Sequence, residues 1–587
     1  MLGALLLAPT AHALAPAAAS PSADPYQAWA DSVIGKGVAA GGASAATVAI
    51  VKDGKIVAVR GYGRPGPDAS RPVDPARDRF QIASVSKTFA GLLLADLVLS
   101  GQMPPLDTPA NAVLKRVTVP TLGGRPIRLR HLVSHAAGFE ERGFGYFDSG
   151  RMAAIPTGDD IRAIMPAQVR PAGAAIVYAN ISAPLVALAI EDATGRRYGD
   201  LVAERLLRPI GMAATRFNLS GVADAALVRP FRPGGSLIPR QFNAPFFAPT
   251  GSIETTAPDM ARYMLAMLGD GSGGLRQGVP ALATRPLAGN GPGLDGIGAF
   301  WMLGHWGKSR TWEHAGGLAG VAATLVLVPD QKLGLFVAWA APAPPLGYGD
   351  IRDSFLQRFV GPVALAPAMA GADRGIEGRY WAERRPHSTA EMLFFLGATT
   401  DVVRTDAGIL INGQPVTRIG PGLYERQPSP GRAPARWLFR AGELRERVGV
   451  ARKVTGLADP HLQLILALTG AGLAFSGLFA AIWARGPARW MAPAGALVAA
   501  AVPATVLVLG GPEAIADAMQ NGQTLAFSIG GGLTVLLAGQ GLALLALTGR
   551  SRAGRLPARL HLALAGVGAL LLATMLTFWR LPFPLHG

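Results

Sequence analysis

The sequence predicts an α+β protein: an antiparallel sheet flanked by helices and carrying a helical subdomain, then a small β domain, then a bundle of transmembrane helices. Residues 47–52 and 55–59 form apolar runs around Asp53-Gly54, a pair that strongly favours a hairpin turn. Residues 324–328 and 333–337 repeat this pattern around Pro329-Asp330. Helical stretches at 88–99 and 182–193 lie between the hairpins, so we expect one sheet that closes around a helical insertion.

The composition excludes several kinds of site. The chain has 587 residues and no cysteine, which rules out disulfides, thiolate zinc sites and a cysteine nucleophile. Its length suggests several folding units. The formal net charge is +17, but the Lys and Arg residues are scattered and no nucleic-acid-binding motif accompanies them. We therefore expect no nucleic-acid partner and no metal or other cofactor.

The N-terminus has features of an export signal. A short apolar run, Leu5 to Leu7, is followed by small-residue patterns such as Ala11-His12-Ala13. Signal peptidase accepts such patterns, so we predict a signal peptide over residues 1–15 and a flexible linker over 16–24. No Lys or Arg precedes the apolar run, so a disordered leader rich in Ala and Pro stays the alternative.

Four apolar stretches fill the C-terminal region, at about 462–483, 491–509, 525–547 and 560–579. Each is near the ~20 residues that a helix needs to cross a bilayer. Arginines lie in the first and third connecting loops, whereas the middle loop has Glu513 and Asp517 and no Lys or Arg. The positive-inside rule then places the basic loops in the cytoplasm and the large N-terminal region on the periplasmic or extracellular side. No Asp, Glu or Lys interrupts the spans, which favours an anchor in the lipid bilayer over a transporter.

Three short motifs in chain order indicate serine acyl transfer. Ser84-x-x-Lys87 follows a strand-like run and opens an apolar helix, so both side chains are expected on one face of its first turn. Tyr178-x-Asn180 and a glycine-rich stretch beginning at His314 follow. A serine hydroxyl is a poor nucleophile until a base accepts its proton, and Lys87 and Tyr178 are candidate bases. Each motif is weak alone, because two letters at a fixed spacing recur by chance.

Two His-x-Gly stretches compete for the third position, at His305 and His314. Only the second leads through Gly316, Gly317 and Gly320 into the alternating strand at 324–328. Glycines at such a place let a substrate approach the backbone closely. We therefore assign His314 to the site.

Taken together, the motifs resemble those of the serine β-lactamase-like family. The runs Arg130-His131-Leu132-Val133-Ser134-His135 and Ala248-Pro249-Thr250-Gly251-Ser252 add to the likeness, which covers about residues 25–365. Similar proteins are class C β-lactamases, penicillin-binding proteins, D-alanyl-D-alanine carboxypeptidases, D-aminopeptidases and β-lactamase-fold esterases. The resemblance implies a fold of the β-lactamase and transpeptidase type.

The resemblance also implies a role for each site residue. Ser84 would attack a carbonyl carbon and form an acyl-enzyme, while Lys87 and Tyr178 share the proton transfers. The backbone N–H groups of Ser84 and Gly317 would form the oxyanion hole. Asn180 would hydrogen-bond Lys87 and a substrate amide. The substrate-binding residues would be Asn180, His314 and Gly316.

One departure from the family pattern bears on the substrate. Family members that bind penicillins typically have Lys-Thr-Gly where this chain has His314-Ala315-Gly316. A histidine is mostly neutral near pH 7 and Ala315 has no hydroxyl, so recognition of a carboxylate should weaken. We expect esterase or peptidase activity more than efficient β-lactamase activity, on a small molecule or a peptide, cell-wall peptides included. The fold does not choose among these substrates.

Two function classes stay open. The complete set of catalytic residues favours a membrane-anchored serine hydrolase. Four spans exceed what a tether needs, which keeps open a penicillin- or peptide-sensing module that signals through its helices without efficient turnover.

We predict a small β-rich accessory domain over residues 370–455. Turn signals at Asp406-Ala407-Gly408 and Asn412-Gly413 separate short alternating runs. Its arginines could contact anionic lipid headgroups or simply form a solvated surface; they include Arg384, Arg385, Arg445, Arg447 and Arg452.

Overall fold

A computed structural model provides the structure of the chain. It describes residues 24–143, 145–146, 158–218, 225–238, 243–269, 273–341, 348–371, 373–426, 434–480, 482–508, 525–548 and 555–580. The predicted signal peptide and all but the last residue of the predicted linker lie outside these ranges.

Eleven described strands precede the accessory domain. They are β1 (Ala45–Lys52), β2 (Lys55–Gly63), β3 (Phe80–Gln81), β4 (Arg216–Phe217), β5 (Ile253–Thr255), β6 (Ala288–Gly289), β7 (Gly296–Ile297), β8 (Met302–Trp306), β9 (Ser309–Leu318), β10 (Val321–Val328) and β11 (Leu333–Ala340).

The main sheet joins the two ends of this region, as the hairpin patterns predicted. Its strand order is β2-β1-β11-β10-β9-β8-β7-β6, and every pair is antiparallel. The β1–β2 hairpin turns at Asp53 and Gly54, which both have positive φ, a conformation that Gly adopts without steric cost. A second, three-stranded sheet has the order β3-β5-β4. It brings the segment before Ser84 next to the segment after Thr250.

Helices of the same region cover the sheet and form the insertion. The α-helices are Pro25–Ala30, Lys36–Ala39, Ser86–Leu99, Leu129–Val133, Gly158–Ile164, Ser182–Thr194, Tyr198–Val202, Arg208–Ile210, Ala248–Gly251, Ala257–Leu268, Val279–Ala283 and Tyr348–Phe359. The helix Ser86–Leu99, which we call the nucleophile helix, is buried from Ser86 through Leu97. A helix buried on all faces lies in the centre of a core, so its position is fixed by packing on every side.

The accessory domain closes into a barrel. Its eight strands are β12 (Gly378–Ala382), β13 (Thr399–Thr405), β14 (Gly408–Ile411), β15 (Gln414–Gly420), β16 (Leu423–Arg426), β17 (Arg436–Arg440), β18 (Glu443–Glu446) and β19 (Gly449–Val454), paired in chain order with β19 returning to β12. Closure removes the exposed edges that an open sheet would leave.

Buried polar contacts dock the barrel on the catalytic region. Arg170 forms an ion pair with Glu383 at 2.5 Å, and both side chains are almost completely buried. Asn290 donates from Nδ2 to the carbonyl oxygens of Glu446 and Gly449 at 2.8 and 3.0 Å. Groups buried in this way must be paired to be stable, so these contacts fix one orientation of the barrel.

The C-terminal region consists of the α-helices Pro460–Phe475, Gly477–Ala480, Ala488–Val508, Leu525–Thr548 and Leu556–Phe578. Among the described residues, three segments are long and apolar enough to cross a membrane, namely Pro460–Ala480, Ser528–Thr548 and Leu556–Phe578. They match the first, third and fourth predicted spans. The second predicted span coincides with the helix Ala488–Val508 but is not one of the three, so the four-span topology stays a prediction.

We expect Gly91→Ala to destabilise the protein, because a Cβ at Gly91 in the nucleophile helix would lie 2.1 Å from the carbonyl oxygen of Ala299. Overpacking of a closed core costs about 1–3 kcal/mol. Gly37→Ala is the matched control, since Gly37 is also helical and its added Cβ meets nothing within 4 Å. Thermal unfolding of the two variants measures the difference. Equal melting temperatures would contradict this packing.

Candidate active site

Ser84 lies on a turn whose backbone is held from several sides. Strand β3 leads into a single 3₁₀ turn, Ala83–Val85, and the nucleophile helix begins at Ser86. Ala83 has φ +46°, an uncommon conformation for a residue with a side chain that persists only where surrounding structure enforces it. The Ser86 hydroxyl oxygen accepts a hydrogen bond from the backbone N–H of Ile253 at 3.2 Å, which ties the helix start to the strand that follows Thr250. The half-buried Ser84 hydroxyl is thus presented on a rigid bend.

The turn also needs glycine neighbours. A Cβ on Gly316 of β9 would lie 2.4 Å from the Ile82 carbonyl oxygen and 2.6 Å from the Ser84 nitrogen. Gly316 is therefore the residue that lets β9 pass directly against the nucleophile. Gly317 is paired with Ala322 of β10 in the sheet register. The oxyanion hole formed by the Ser84 and Gly317 N–H groups stays a prediction.

Lys87 is completely buried and contacts the nucleophile. Its Nζ lies 2.9 Å from Ser84 Oγ and donates to the Thr250 carbonyl oxygen at 3.0 Å. Burial, with a smaller effect of the Arg384 cation, holds the pKa of Lys87 well below its usual range against the opposing charge of Glu141. A lowered pKa increases the fraction of the amine that is neutral at a given pH. The neutral amine can then accept the proton of Ser84.

Tyr178 lies beside Ser84 and Lys87. Burial, against the effect of Arg384 and a hydrogen bond with Ser84, raises the pKa of Tyr178 to about 12. Its ring stacks on the ring of His135 at a centroid distance of 4.1 Å, and Lys87 Nζ is 5.2 Å from the Tyr178 centroid. The phenol therefore keeps its proton at neutral pH and suits proton donation better than initial proton abstraction. The structure thus favours Lys87 over Tyr178 as the first base.

Asn180 is at the site but with a different partner from the one the resemblance implied. Its Nδ2 and its backbone N–H both lie 3.4 Å from Oε1 of the buried Glu141. Lys87 is instead held by Ser84 and Thr250. Glu141 also accepts a hydrogen bond from the Tyr146 hydroxyl at 3.0 Å. The sequence analysis did not single out Glu141, which no motif marks.

His314, and not His305, is brought to the site. His314 is buried, its Nδ1 donates to the Ala315 carbonyl oxygen at 2.7 Å, and its ring centroid is 6.3 Å from that of Tyr178. Burial and the charge of Lys87 lower the pKa of His314 to about 3. The ring is therefore neutral at pH 7, as the sequence analysis expected. His305 is exposed and contacts Asp295 at 2.7 Å.

His135 is a second residue that sequence reasoning left without a role. It has φ +52°, its Nδ1 accepts a hydrogen bond from the Ala179 N–H at 3.3 Å, and its carbonyl accepts one from Val177. Burial and the cation of Lys87 hold its pKa well below the usual range. A neutral, stacked His135 thus fixes the segment that carries Tyr178.

The accessory barrel contributes a charge to the site. The guanidinium of Arg384 lies 4.5 Å from the Tyr178 ring centroid, and its Nε forms an ion pair with Glu141 Oε2 at 3.1 Å. Its side chain is half exposed, so it can still reach solvent or a ligand. For Arg384, the structure adds contacts with Tyr178 and Glu141 to the half-solvated position, and the headgroup contact considered from the sequence stays a prediction.

Arg447 of the barrel also forms an ion pair with the main sheet of the catalytic region. Its guanidinium lies 3.4 Å from Glu313, the residue before His314. The nearby Arg447 and Arg352 lower the pKa of Glu313 to about 2 despite its burial.

Within the part of the chain that the structure describes, no group of three His, Asp or Glu side chains is arranged to hold a metal ion.

The chain is similar to several known proteins. It is 27% identical to a human beta-lactamase-like protein over 336 residues. The match covers 54% of this chain and 65% of that protein. It is 26% identical to the D-alanyl-D-alanine-carboxypeptidase/endopeptidase AmpH of Escherichia coli over 304 residues. This match covers 49% of this chain and 77% of AmpH. The crystal structure of SurE superposes with a TM-score of 0.52 at 20% identity, over 73% of this chain and all of SurE, which supports the fold alone.

A family model described as beta-lactamase matches residues 30–354, which is more than half of the chain and contains every motif of the serine site. On this match, and on a fold that agrees with it, the chain belongs to the beta-lactamase family of serine hydrolases.

Proposed function

We propose that this protein is a membrane-anchored serine hydrolase that acts outside the cytoplasm through an acyl-enzyme on Ser84. The observation that carries the proposal is the buried Lys87 amine, 2.9 Å from Ser84 Oγ. A buried amine with a lowered pKa activates a nearby hydroxyl at neutral pH.

The reaction would proceed in two halves. In the first, Lys87 accepts the Ser84 proton while Oγ bonds to the substrate carbonyl carbon, and the oxyanion is held by the N–H groups of Ser84 and Gly317. The bond to the leaving group then breaks as Tyr178 donates a proton to it, and Tyr178 is reprotonated from Lys87. In the second half, the same pair takes a proton from water while the water oxygen bonds to the acyl carbon; the bond from that carbon to Ser84 Oγ then breaks, and the proton returns to Oγ.

The substrate would be an ester, an amide or a peptide, with esterase or D-amino-acid peptidase activity ahead of β-lactamase activity. The neutral His314 and the methyl group of Ala315 offer no cation or hydroxyl on β9 for a carboxylate. Arg384 supplies a cation from the barrel side of the site instead. The names of two relatives, AmpH and a D-aminopeptidase of Cereibacter sphaeroides that is 30% identical over 168 residues, make short D-amino-acid peptides the first substrates to test.

Loop charges support the proposed location of the site. Arg485 and Arg489 follow the first span, and the acidic middle loop follows the second. The catalytic region and barrel would then lie on the periplasmic or extracellular side.

We expect Ser84→Ala to abolish both substrate hydrolysis and covalent labelling by a fluorophosphonate or a labelled penicillin, because no other hydroxyl lies beside Lys87 Nζ among the contacts described above. Thr88→Ser, at a buried hydroxyl that donates to the Val85 carbonyl, is a control that keeps the helix and the nucleophile. Mass spectrometry of the intact protein locates the adduct. Labelling of the Ser84→Ala protein would contradict the site.

The same experiment followed over time separates the two function classes. Turnover of the adduct supports the hydrolase. A stable adduct without product would support the sensing module.

Charges around Lys87 should shift the pH dependence of kcat/KM in opposite directions. Catalysis needs unprotonated Lys87, so activity falls as pH drops through the pKa of Lys87. Arg384→Gln removes a cation that lowers this pKa, so the acidic limb should move to higher pH; Glu141→Gln removes an anion that raises it, so the limb should move to lower pH. Shifts of about one unit are typical of a close charge. Shifts of the same sign in both variants would contradict Lys87 as the base.

Arg384 should also discriminate between substrates by charge. For a peptide with a free carboxylate, Arg384→Gln should raise KM about tenfold or more, the loss of one hydrogen bond to a charged group. For the matched peptide amide, KM should change little. Arg440→Gln, at an exposed barrel position, is the control. Equal effects on both peptides would exclude Arg384 from carboxylate recognition.

A further inference from the structure

A cavity of about 890 Å³ lies where the barrel meets the C-terminal helices, away from Ser84. Its volume is in the range of small-molecule sites. One side is formed by the barrel and by Val169, and the other by the helices Leu525–Thr548 and Leu556–Phe578. The two sides differ sharply in character.

The barrel side is basic. Its cations are Arg385, Arg452 and Lys453, and Arg580 adds another from the end of the last helix. Glu383 is the single carboxylate among the lining residues, and it is already engaged with Arg170 at 2.5 Å, Arg385 at 3.5 Å and Arg452 at 3.6 Å. His387 also lines the cavity, and its lowered pKa leaves it neutral. The lining therefore carries a net positive charge that one carboxylate does not balance.

Arg385 shows that this charge has spare hydrogen-bonding capacity. It is 9% exposed, its guanidinium lies 4.0 Å from the Trp381 ring centroid, and its Nε has no hydrogen-bond partner in the described part of the chain. A buried guanidinium N–H without a partner is costly. An anionic oxygen in the cavity would satisfy it.

The helix side is mainly apolar. It is lined by Ala538 and by Leu570, Ala573, Thr574, Thr577 and Phe578. Both helices contain segments that are long and apolar enough to cross a membrane. The side chains of Thr574 and Phe578 are exposed, so this side opens where lipid chains would lie.

We propose that this cavity binds one anionic phospholipid, with its phosphate on Arg385, Arg452 and Arg580 and an acyl chain along the helix Leu556–Phe578. A free phosphate would leave the apolar side uncovered, and a neutral lipid would leave the cations unpaired. The proposal rests on membrane insertion of these helices and not on the acyl-enzyme, so it can fail while the proposed hydrolase stands.

The headgroup is tested with the full-length protein in vesicles of equimolar phosphatidylglycerol and phosphatidylcholine. After extraction in mild detergent, native mass spectrometry counts the lipids bound. The protein, and equally its Ser84→Ala variant, should retain one phosphatidylglycerol in preference to phosphatidylcholine. The double variant Arg452→Gln/Arg580→Gln should lose this preference by about fivefold for each cation removed.

The control is Arg374→Gln/Arg440→Gln, which removes two exposed barrel cations that do not line the cavity. It should keep the preference. Equal lipid selectivity in both double variants, or displacement of the lipid by free glycerol phosphate, would overturn the proposal.

The acyl chain is tested at the apolar side. Thr574→Trp should reduce retention of phosphatidylglycerol, because the indole would occupy the space along the helix. Val567→Trp, an exposed position on the same helix outside the cavity, should not. Unchanged retention in Thr574→Trp would overturn the placement of the chain.

Discussion

The burial of Lys87 against Ser84 is the constraint on which the rest of this structure depends. A charged amine with no exposed surface is strongly disfavoured. Burial therefore lowers the pKa of a lysine and favours its neutral form. The hydrogen-bond partners of Lys87 among the described residues are the Ser84 hydroxyl and the Thr250 carbonyl oxygen, so the surrounding core must be rigid and closed. The nucleophile helix, buried from Ser86 to Leu97, and the short β3–β5 pairing provide this closure. The same burial that makes the fold depend on exact packing lowers the pKa of Lys87, as the proposed role of a base requires.

The charges near this pair are distributed over two domains. At the site, the strand that runs past Ser84 presents a neutral histidine, His314. The nearest guanidinium, Arg384, comes from the barrel and is paired with Glu141, which also binds Asn180. Arg384 and Glu141 act on the pKa of Lys87 in opposite directions. The barrel is therefore part of the electrostatics of the site, and its orientation, fixed by buried contacts such as Arg170–Glu383, bears directly on reactivity.

The barrel also links the catalytic region to the C-terminal apolar helices. Three consecutive residues show this: Arg384 faces Tyr178, whereas Glu383 and Arg385 line the cavity beside the last helices. The helices themselves pack closely through small residues, since a Cβ on Gly470 would lie 2.9 Å from the Gly568 carbonyl oxygen. Such close approach is how apolar helices associate where burial of apolar surface gives no driving force.

The sequence by itself determined the features that depend on neighbours along the chain. The Asp53-Gly54 hairpin, the nucleophile helix, the choice of His314 over His305 and three of the apolar helices follow from local patterns of turn residues, periodicity and hydropathy. Only the tertiary structure decided what depends on distant residues. Arg384 is 243 positions from Glu141, so no local pattern could assign it to the site, and the same holds for the partner of Asn180 and for the closure of the barrel. The pKa values of Lys87 and His314 belong to this second class, because they are set by burial, which exists only once the chain has folded.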